Sequence, residues 1–341
     1  MSAKVVHLIM FEIRMCRAIL DTMIWSYIAD RDEGLALEAL EDRLRLALVI
    51  PPSILLEALR TPVPTVRSRI VRTICTRPGQ RVHPPSEAQQ EADELVAAVR
   101  KHRPEWLRSF PRDDKVPGLE AFWTRKLWQE AQRNPQETAE LASVSTSSEQ
   151  DAEVLLQIQR ALKNSVKGSG EAGTAEWFAD LTGQPEEIKI GWNGERIEAW
   201  RFENAMYWWT HLCEASRQRD TTPLDWAGPW LKTNVIRRDR RSWNCFLYHE
   251  VSAIELRRSW IRTSLPWAQL ATRISGGNPR DAQHAAYLFD ADIFVTADRR
   301  FAKVLDVLRS DAPASFAETR LVSSKEPTVP VLEKALTEEV S

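Results

Sequence analysis

The stretch DAQHAAYLFDADIFVTADRRF, residues 281–301, decides the fold because a short apolar run lies between carboxylates. The segment AQHAAYLF that follows Asp281 has apolar residues at the spacing of a helix packed by one face. The segment DADIFVTAD then predicts a buried parallel strand, since Ile293, Phe294 and Val295 are too continuous for a half-solvated strand. A carboxylate at a helix start and another at a strand end can meet at one edge of an α/β sheet, where such folds bind ligands.

The strand–helix pattern also occurs twice near the start of the chain. Residues 16–22, CRAILDT, predict a short buried strand ending in Asp21, and helix patterns follow in MIWSYIAD and LALEALEDRLRL. Residues 46–50, LALVI, predict a second buried strand, and the next helix starts with proline, whose missing N–H costs nothing there. Residues 320–324, RLVSS, predict a last short strand. This alternation predicts an α/β fold with a parallel sheet.

The predicted α/β core has two parts, residues 16–81 and 240–325, which are split by a mainly α-helical insertion at residues 82–239. Charged amphipathic segments such as SEAQQEADELVAAVRKH and LEAFWTRKLWQEAQR predict the helices of the insertion. Residues 326–341 are expected to form a C-terminal tail.

Two smaller features complete the predicted organisation. Asn193-Gly194 lies between two alternating runs and predicts a hairpin near residues 188–202. Residues 1–15 form an N-terminal extension, which is either an extra edge strand or a leader that precedes a true start at Met15.

The composition is typical of a soluble globular protein, with 43% hydrophobic and 28% charged residues among 341. No apolar run approaches the ~20 residues of a membrane span, so no membrane partner is expected. The four cysteines are scattered, without CxxC pairs or histidines at zinc spacing, which argues against a zinc site or a disulfide framework and favours the reducing cytoplasm. Because the net charge is −2, any surface for nucleic acid must be local.

Four acids lie at equivalent places in the predicted strand–helix units. Asp21 ends the first strand, Glu57 lies in the first turns after the second, Asp281 begins a helix and Asp298 ends a later strand. Right-handed crossovers bring the carboxyl ends of parallel strands to one edge of a sheet, so we expect these acids to lie together. Crowded carboxylates repel one another unless cations lie between them. The pattern therefore predicts one or two Mg²⁺ or Mn²⁺ ions, which prefer oxygen ligands and can activate water for attack on a phosphate.

Three stretches in this order, ILDTMIWSYI, VIPPSILLEAL and GNPRDAQHAAYLFDADIFVTADRRFAKVL, resemble the motif blocks of PIN-domain nucleases. The resemblance implies a Rossmann-like, three-layer parallel sheet and divalent-metal-dependent cleavage of RNA phosphodiester bonds, with single strands or structured loops as the usual substrates. It leaves the insertion unexplained. Many members of this family are toxins neutralised by a protein partner encoded beside them, and others act in RNA maturation or phage defence.

The resemblance also implies roles for single residues. Matched by motif block, the catalytic and metal-binding acids are Asp21, Glu57, Asp281 and Asp298, and the supporting residues are Thr22 and Thr296. Two departures from the family pattern accompany this match. Met23 occupies a position where many members have Asn or Ser near the metal. The spacing from Glu57 to Asp281 is far longer than in compact members, which is compatible with a covered or gated active site.

Two arginine-rich stretches lie at the junctions with the insertion. Residues 60–81 contain six arginines and no acid, and residues 236–243 have the sequence IRRDRRSW. Both could follow a phosphate backbone, and both could instead form a solvated face or salt bridges to acidic helices of the insertion. The arginines singled out as RNA contacts are Arg67, Arg69, Arg72 and Arg299.

The tryptophans and one histidine each have two interpretations. Eleven of the fourteen tryptophans lie between residues 106 and 243, where aromatic faces could stack on unpaired bases, although a helical insertion also needs a hydrophobic core. We favour the core. His284 lies one helical turn after Asp281 and could touch the site, although a packed or hydrogen-bonded helix histidine is more common.

The leading hypothesis from the sequence is a cytoplasmic, PIN-like endoribonuclease that hydrolyses RNA with Mg²⁺ or Mn²⁺, with toxin and defence effector as the roles considered. The first alternative is a catalytically weak binding or regulatory module with the same fold. The second is a structure-specific DNA nuclease. An antitoxin-like protein inhibitor and a homodimer are further partners considered, and the sequence does not choose among these roles.

Overall fold

The computed structural model describes residues 15–77, 79–112, 115–144, 153, 156–157, 159–161, 163, 178–179, 181–214, 222–270, 278–323 and 328–338. Its strands are β1 (Cys16–Leu20), β2 (Leu46–Leu48), β3 (Phe178–Ala179), β4 (Ile197–Glu198), β5 (Ile293–Thr296) and β6 (Glu318–Leu321). Its α-helices are α1 (Thr22–Asp30), α2 (Gly34–Leu44), α3 (Pro52–Leu59), α4 (Pro64–Cys75), α5 (Glu87–His102), α6 (Val116–Ala121), α7 (Leu127–Arg133), α8 (Pro135–Val144), α9 (Glu186–Lys189), α10 (Ala199–Trp209), α11 (Thr222–Ala227), α12 (Thr233–Ile236), α13 (Arg240–Cys245), α14 (Arg257–Gln269), α15 (Asn278–Ala285), α16 (Arg299–Asp311) and α17 (Thr328–Thr337). Short 3₁₀ segments lie at Pro104–Trp106 and Ala286–Asp290, and π-helical segments lie at Phe122–Lys126, Thr210–Glu214 and Phe246–Glu250.

A four-stranded parallel sheet in the order β2–β1–β5–β6 forms the centre of the core. β1 pairs with β5 in a register that places Ala18 opposite Ile293. Val82 extends the sheet beyond β2 through a parallel bridge to Val49. Every residue of β5 is buried, as expected for an apolar run covered on both faces. The prediction of an α/β fold with a parallel sheet is confirmed.

The ends of two strands differ slightly from the prediction. β1 ends at Leu20, so Asp21 follows the strand and Thr22 begins α1. β6 occupies Glu318–Leu321 instead of residues 320–324, because it pairs with β5 from Ile293 onward.

The hairpin predicted near residues 188–202 was wrong. The residues before the turn form α9, and β4 pairs antiparallel with β3 instead. The turn is held by its own side chain, since Oδ1 of Asn193 accepts a hydrogen bond from the N–H of Glu195 at 3.0 Å. Gly194 has a φ of 91°, a conformation that favours glycine. Asn193-Gly194 therefore marks a side-chain-supported turn whose preceding segment is helical.

Helices cover both faces of the sheet. Side chains alternate along a strand, so Ile19 and Phe294 lie in one hydrophobic cluster, and Leu20 and Val295 lie in another. The first cluster includes α5, α10, α14 and α16, and the second includes α1, α2, α4, α7 and α17. The core is thus a helix–sheet–helix arrangement of three layers. Among the helices described, none is both long and apolar enough to cross a membrane.

The insertion shares its hydrophobic core with the sheet. Trp200, Trp208 and Trp226 of the insertion are buried in the same cluster as Ile19 and Phe294. Their interpretation as core residues is confirmed. The core that they form is continuous with one face of the sheet.

The segment predicted as a C-terminal tail contains α17. The N–H groups of Thr328 and Val329 donate hydrogen bonds to the Glu33 carboxylate at 3.2 and 3.0 Å, which holds the helix against the start of α2. Residues 326–327 and 339–341 of the tail, and the predicted N-terminal extension up to residue 14, lie outside the described residues.

Candidate active site

Thr296 joins two of the predicted acids at the carboxyl edge of the sheet. β1 and β5 are neighbours, so Asp21 and Asp298, which follow them, lie at the same edge. The Thr296 hydroxyl donates to Oδ2 of Asp21 at 2.5 Å and accepts from the N–H of Asp298 at 2.9 Å. A hydroxyl can do both because it has one donor and two acceptor lone pairs. Thr296 thus supports the site through two hydrogen bonds, one to the Asp21 carboxylate and one from the Asp298 backbone.

Glu57 reaches the site from the second turn of α3. Thr22 donates its hydroxyl hydrogen to Oε2 of Glu57 at 2.6 Å. Nε2 of His284 lies 2.9 Å from the same oxygen, and Nδ1 of His284 lies 2.9 Å from Oγ of Ser53. The histidine that the sequence left ambiguous therefore contacts a predicted acid. Ser53, which the sequence analysis did not single out, contacts the histidine.

Two spacings could have pointed to these residues. His284 follows Asp281 by three positions, and Ser53 precedes Glu57 by four, so each pair shares one face of a helix. Ser53, His284 and Glu57 contact one another in the order of a hydrolytic triad. However, Ser53 is only 5% exposed within α3, so its hydroxyl is not presented to a substrate. We interpret it as support for the histidine ring.

Asp281 shows that the four acids form one cluster. Burial raises the pKa of Asp281 to about 8; the charge of His284 opposes this rise, and the negative charges of Asp21, Asp298 and Glu57 add to it. The hydrogen bonds described above support the same grouping, because they connect Asp21 to Asp298 and Glu57 to the helix that carries Asp281. The structure therefore brings together the four acids predicted from the sequence.

The pKa values of Glu57 and His284 shift in opposite directions. Burial alone would raise the pKa of Glu57, but the hydrogen bond and charge of His284 and the hydrogen bond from Thr22 lower it to about 2. Burial alone would lower the pKa of His284, but Glu57, Asp21 and Asp281 raise it above its ordinary value. Burial also raises the pKa of Asp21. The negative charge of Glu57 is thus compensated by its protein neighbours.

The protein fixes three of the acids through a single oxygen each. Oε2 of Glu57 takes both hydrogen bonds described above. Oδ2 of Asp281 accepts from the side-chain amide of Gln269 at 2.8 Å, and Oδ1 of Asp298 accepts from the first N–H groups of α16, which it caps. The described residues leave the second oxygen of each group without a hydrogen-bond donor. Carboxylate oxygens of this kind are the ligands that Mg²⁺ and Mn²⁺ prefer.

The side chains as they stand do not form a finished metal site. Within the described ranges, no group of three or more His, Cys, Asp or Glu side chains is arranged to hold a metal ion. The donor chemistry nevertheless fits a hard divalent cation, because acids whose pKa values are raised by burial and mutual repulsion are stabilised by a positive charge among them.

The predicted RNA contacts on α4 lie in different environments. Arg67 is buried and donates to the Thr61 carbonyl oxygen at 2.8 Å, so it supports the start of its helix instead of facing solvent. Arg69 is exposed and pairs with Asp30 at 3.0 Å. Arg72 is exposed on the same helix. Of these three arginines, only Arg69 and Arg72 are exposed enough to contact an RNA backbone without rearrangement.

Arg299 and Met23 lie beside the acids in sequence and face solvent. Arg299 begins α16 directly after Asp298 and is exposed. Met23 is the second residue of α1 and is 42% exposed. The chain therefore presents a thioether where many members of the suggested family have a polar group, and a guanidinium next to Asp298.

Comparison of the chain with protein-family models, with curated proteins and with solved structures gives no match. The function is therefore inferred from the site itself.

Proposed function

We propose that this chain is a PIN-like, metal-dependent endoribonuclease. The observation that supports this function is the convergence of Asp21, Glu57, Asp281 and Asp298 at the carboxyl edge of a parallel sheet. This edge is where open α/β sheets bind their ligands. The order of the four acids along the chain is also that of the motif blocks which the sequence resembles.

One or two Mg²⁺ or Mn²⁺ ions would be held by Asp21 and by the second oxygens of Glu57, Asp281 and Asp298. Such an ion, when bound, activates water and stabilises negative charge on a phosphate. The protein prepares the ligands in advance: Thr296 orients Asp21, and the cap of α16 orients Asp298.

Glu57 and Arg299 would also act on water and on the substrate. Glu57 stays ionised at neutral pH because its pKa is about 2, so its carboxylate can accept a hydrogen bond from a water near the scissile phosphate. Arg299 supplies an exposed positive charge beside Asp298 for the RNA backbone.

The central test replaces Asp21 or Asp298 by asparagine. Both variants keep the size of the side chain but lose its charge, so we expect cleavage of single-stranded RNA in Mn²⁺ to fall by about 100-fold or more. Far-UV circular dichroism should remain that of the wild type. Asp306→Asn is the control, because Asp306 is exposed on α16 away from the acids. Wild-type cleavage rates in both test variants would contradict the proposal.

The nucleic acid is identified by matched RNA and DNA oligonucleotides of one sequence, in single-stranded and flap forms. We expect cleavage of the RNA strands. Cleavage confined to DNA flaps would instead favour the structure-specific DNA nuclease.

A binding or regulatory module is the second candidate, and one observation favours it. The acids are not arranged as a finished metal site in the described residues. Calorimetric titration with Mn²⁺ separates the candidates, because a nuclease should bind the ion at micromolar to millimolar concentration and a module should not. A co-purifying protein inhibitor would add to the case for a toxin.

A further inference from the structure

His284 is the centre of a buried hydrogen-bond chain that runs from Ser53 to Glu57. The side chain is 6% exposed, and both ring nitrogens are engaged at 2.9 Å. An ionised carboxylate can only accept hydrogen bonds, so Nε2–H donates to Glu57 and Nδ1 pairs with the Ser53 hydroxyl. Rotation of the ring would break both contacts.

Glu57 needs such an anchor if it is to act at a defined place. Its side chain has three rotatable bonds and is 28% exposed, so an unanchored carboxylate would sample solvent. Thr22 and His284 donate to the same oxygen from α1 and α15, which approach from different parts of the chain. Two donors on one oxygen fix the direction in which the other oxygen points.

The same contact connects the two parts of the core. Glu57 belongs to the first part and His284 to the second, 227 positions later. His284 shares α15 with Asp281, one turn away. The His284 ring therefore links the Glu57 carboxylate directly to the helix that carries Asp281.

We propose that His284 is a positioning residue that holds the Glu57 carboxylate in place among the three aspartates. The proposal rests on the nuclease function proposed above. His284 affects RNA cleavage and metal binding only by holding Glu57. The Ser53 hydroxyl keeps the His284 ring in its orientation.

Two variants of His284 test the proposal. In His284→Gln the amide can still donate to Glu57, whereas in His284→Leu the side chain keeps a similar volume without a donor. We expect His284→Leu to lower kcat for RNA cleavage by about 10–100-fold and to weaken Mn²⁺ binding in calorimetry, with little change in KM. His284→Gln should recover most of both losses. Ser53→Ala should have a smaller effect, since the ring keeps its bond to Glu57.

A histidine outside the site provides the matched control. Nε2 of His102, in the insertion, lies 3.0 Å from Oε1 of Glu255, in the second part of the core, so this pair is also a histidine–glutamate contact between distant parts of the chain. His102→Leu should leave kcat and Mn²⁺ affinity unchanged. A spectroscopic readout adds to this comparison: Glu57→Gln should move the ¹⁵N resonances of the His284 ring and leave those of His102 in place.

Each result decides the proposal. Equal loss of thermal stability in His284→Leu and His284→Gln, with kcat and Mn²⁺ affinity unchanged, would show a purely structural role and overturn it. If His284→Leu does not fold, the ¹⁵N measurement on Glu57→Gln decides: His284 ring resonances that stay where they are in the wild type would show that the ring does not hold Glu57 and would overturn the proposal. A wild-type protein that neither binds Mn²⁺ nor cleaves RNA would remove the nuclease function and this role with it.

Discussion

At Asp281, burial and the negative charge of neighbouring acids act in the same direction. The pKa of this residue is raised from 3.8 to about 8 in the folded protein. Folding therefore favours the protonated acid. A group with a raised folded-state pKa contributes stability that is fully present at pH values below its unfolded pKa, and this stability is lost as the pH rises through the folded pKa.

Asp281→Asn should remove this dependence on pH. Without metal, the variant should be more stable than the wild type by roughly 2–5 kcal/mol at pH 8, and equal to it near pH 4. Urea unfolding at the two pH values measures the difference. Asp306→Asn, on an exposed site, should show no such trend. A wild type that keeps its stability relative to Asp281→Asn up to pH 8 would contradict the raised pKa.

For single residues, the sequence predicts the positions of the acids better than it predicts the residues that hydrogen-bond to them. Asp21 and Asp298 could be placed because an acid at the end of a parallel strand has one edge to occupy. The pairing of His284 with Ser53 could not, since it joins residues 231 positions apart and depends on how α15 packs against α3. The amide of Gln269 was missed for a similar reason, because the segment between it and Asp281 gives no periodic signal.

Among the elements, a buried ion pair joins Glu41 of α2 to Arg81, which lies in the segment after α4. Nη2 of Arg81 lies 2.7 Å from Oε1 of Glu41, and the Arg81 side chain is 1% exposed. The same guanidinium donates to the carbonyl oxygens of Thr73 and Ile74 at the end of α4. Part of the arginine-rich stretch at residues 60–81 therefore serves packing.

Glu41→Ala should destabilise the protein by about 3–5 kcal/mol, because it leaves the buried Arg81 charge without its carboxylate. Chemical unfolding measures this loss. The exposed pair of Arg69 and Asp30 is the control, and Asp30→Ala should cost no more than about 1 kcal/mol. A similar loss of unfolding free energy in the two variants would mean that the buried pair stabilises the protein no more than the exposed pair does.

Strands could be predicted where burial leaves a continuous apolar run, as in β1 and β5. The pairing near residues 188–202 could not be predicted correctly, because the partner of β4 lies outside that range. β4 pairs with β3, at Phe178 and Ala179. Asn193-Gly194 favours a turn through its own backbone and side-chain chemistry, and such a turn forms with or without flanking strands.

Across the whole molecule, the insertion and the sheet are one packing unit. Ile19 and Phe294 from the sheet lie in the same buried cluster as Trp208 and Trp226 from the insertion. The charged, amphipathic helix pattern of residues 82–239 predicts the bounds of the insertion. It does not predict the shared core, because helix periodicity shows that a face is buried without showing what covers it.

This shared core predicts a single cooperative unfolding transition. Tryptophan fluorescence reports mainly on the insertion, and far-UV circular dichroism reports on the whole chain, so their thermal melting curves should coincide. An earlier fluorescence transition, separate from the loss of secondary structure, would mean that the insertion unfolds on its own.

The distance along the chain between Glu57 and His284 has a consequence for biosynthesis. A ribosome makes the two early acids first and must then add 227 residues before the histidine appears, which takes more than ten seconds at ~5–20 residues per second. A nascent polypeptide that stops anywhere before Asp281 carries at most two of the four acids. An enzyme that attacks RNA would thus remain harmless to its own message and to the translating ribosome until its synthesis is nearly complete.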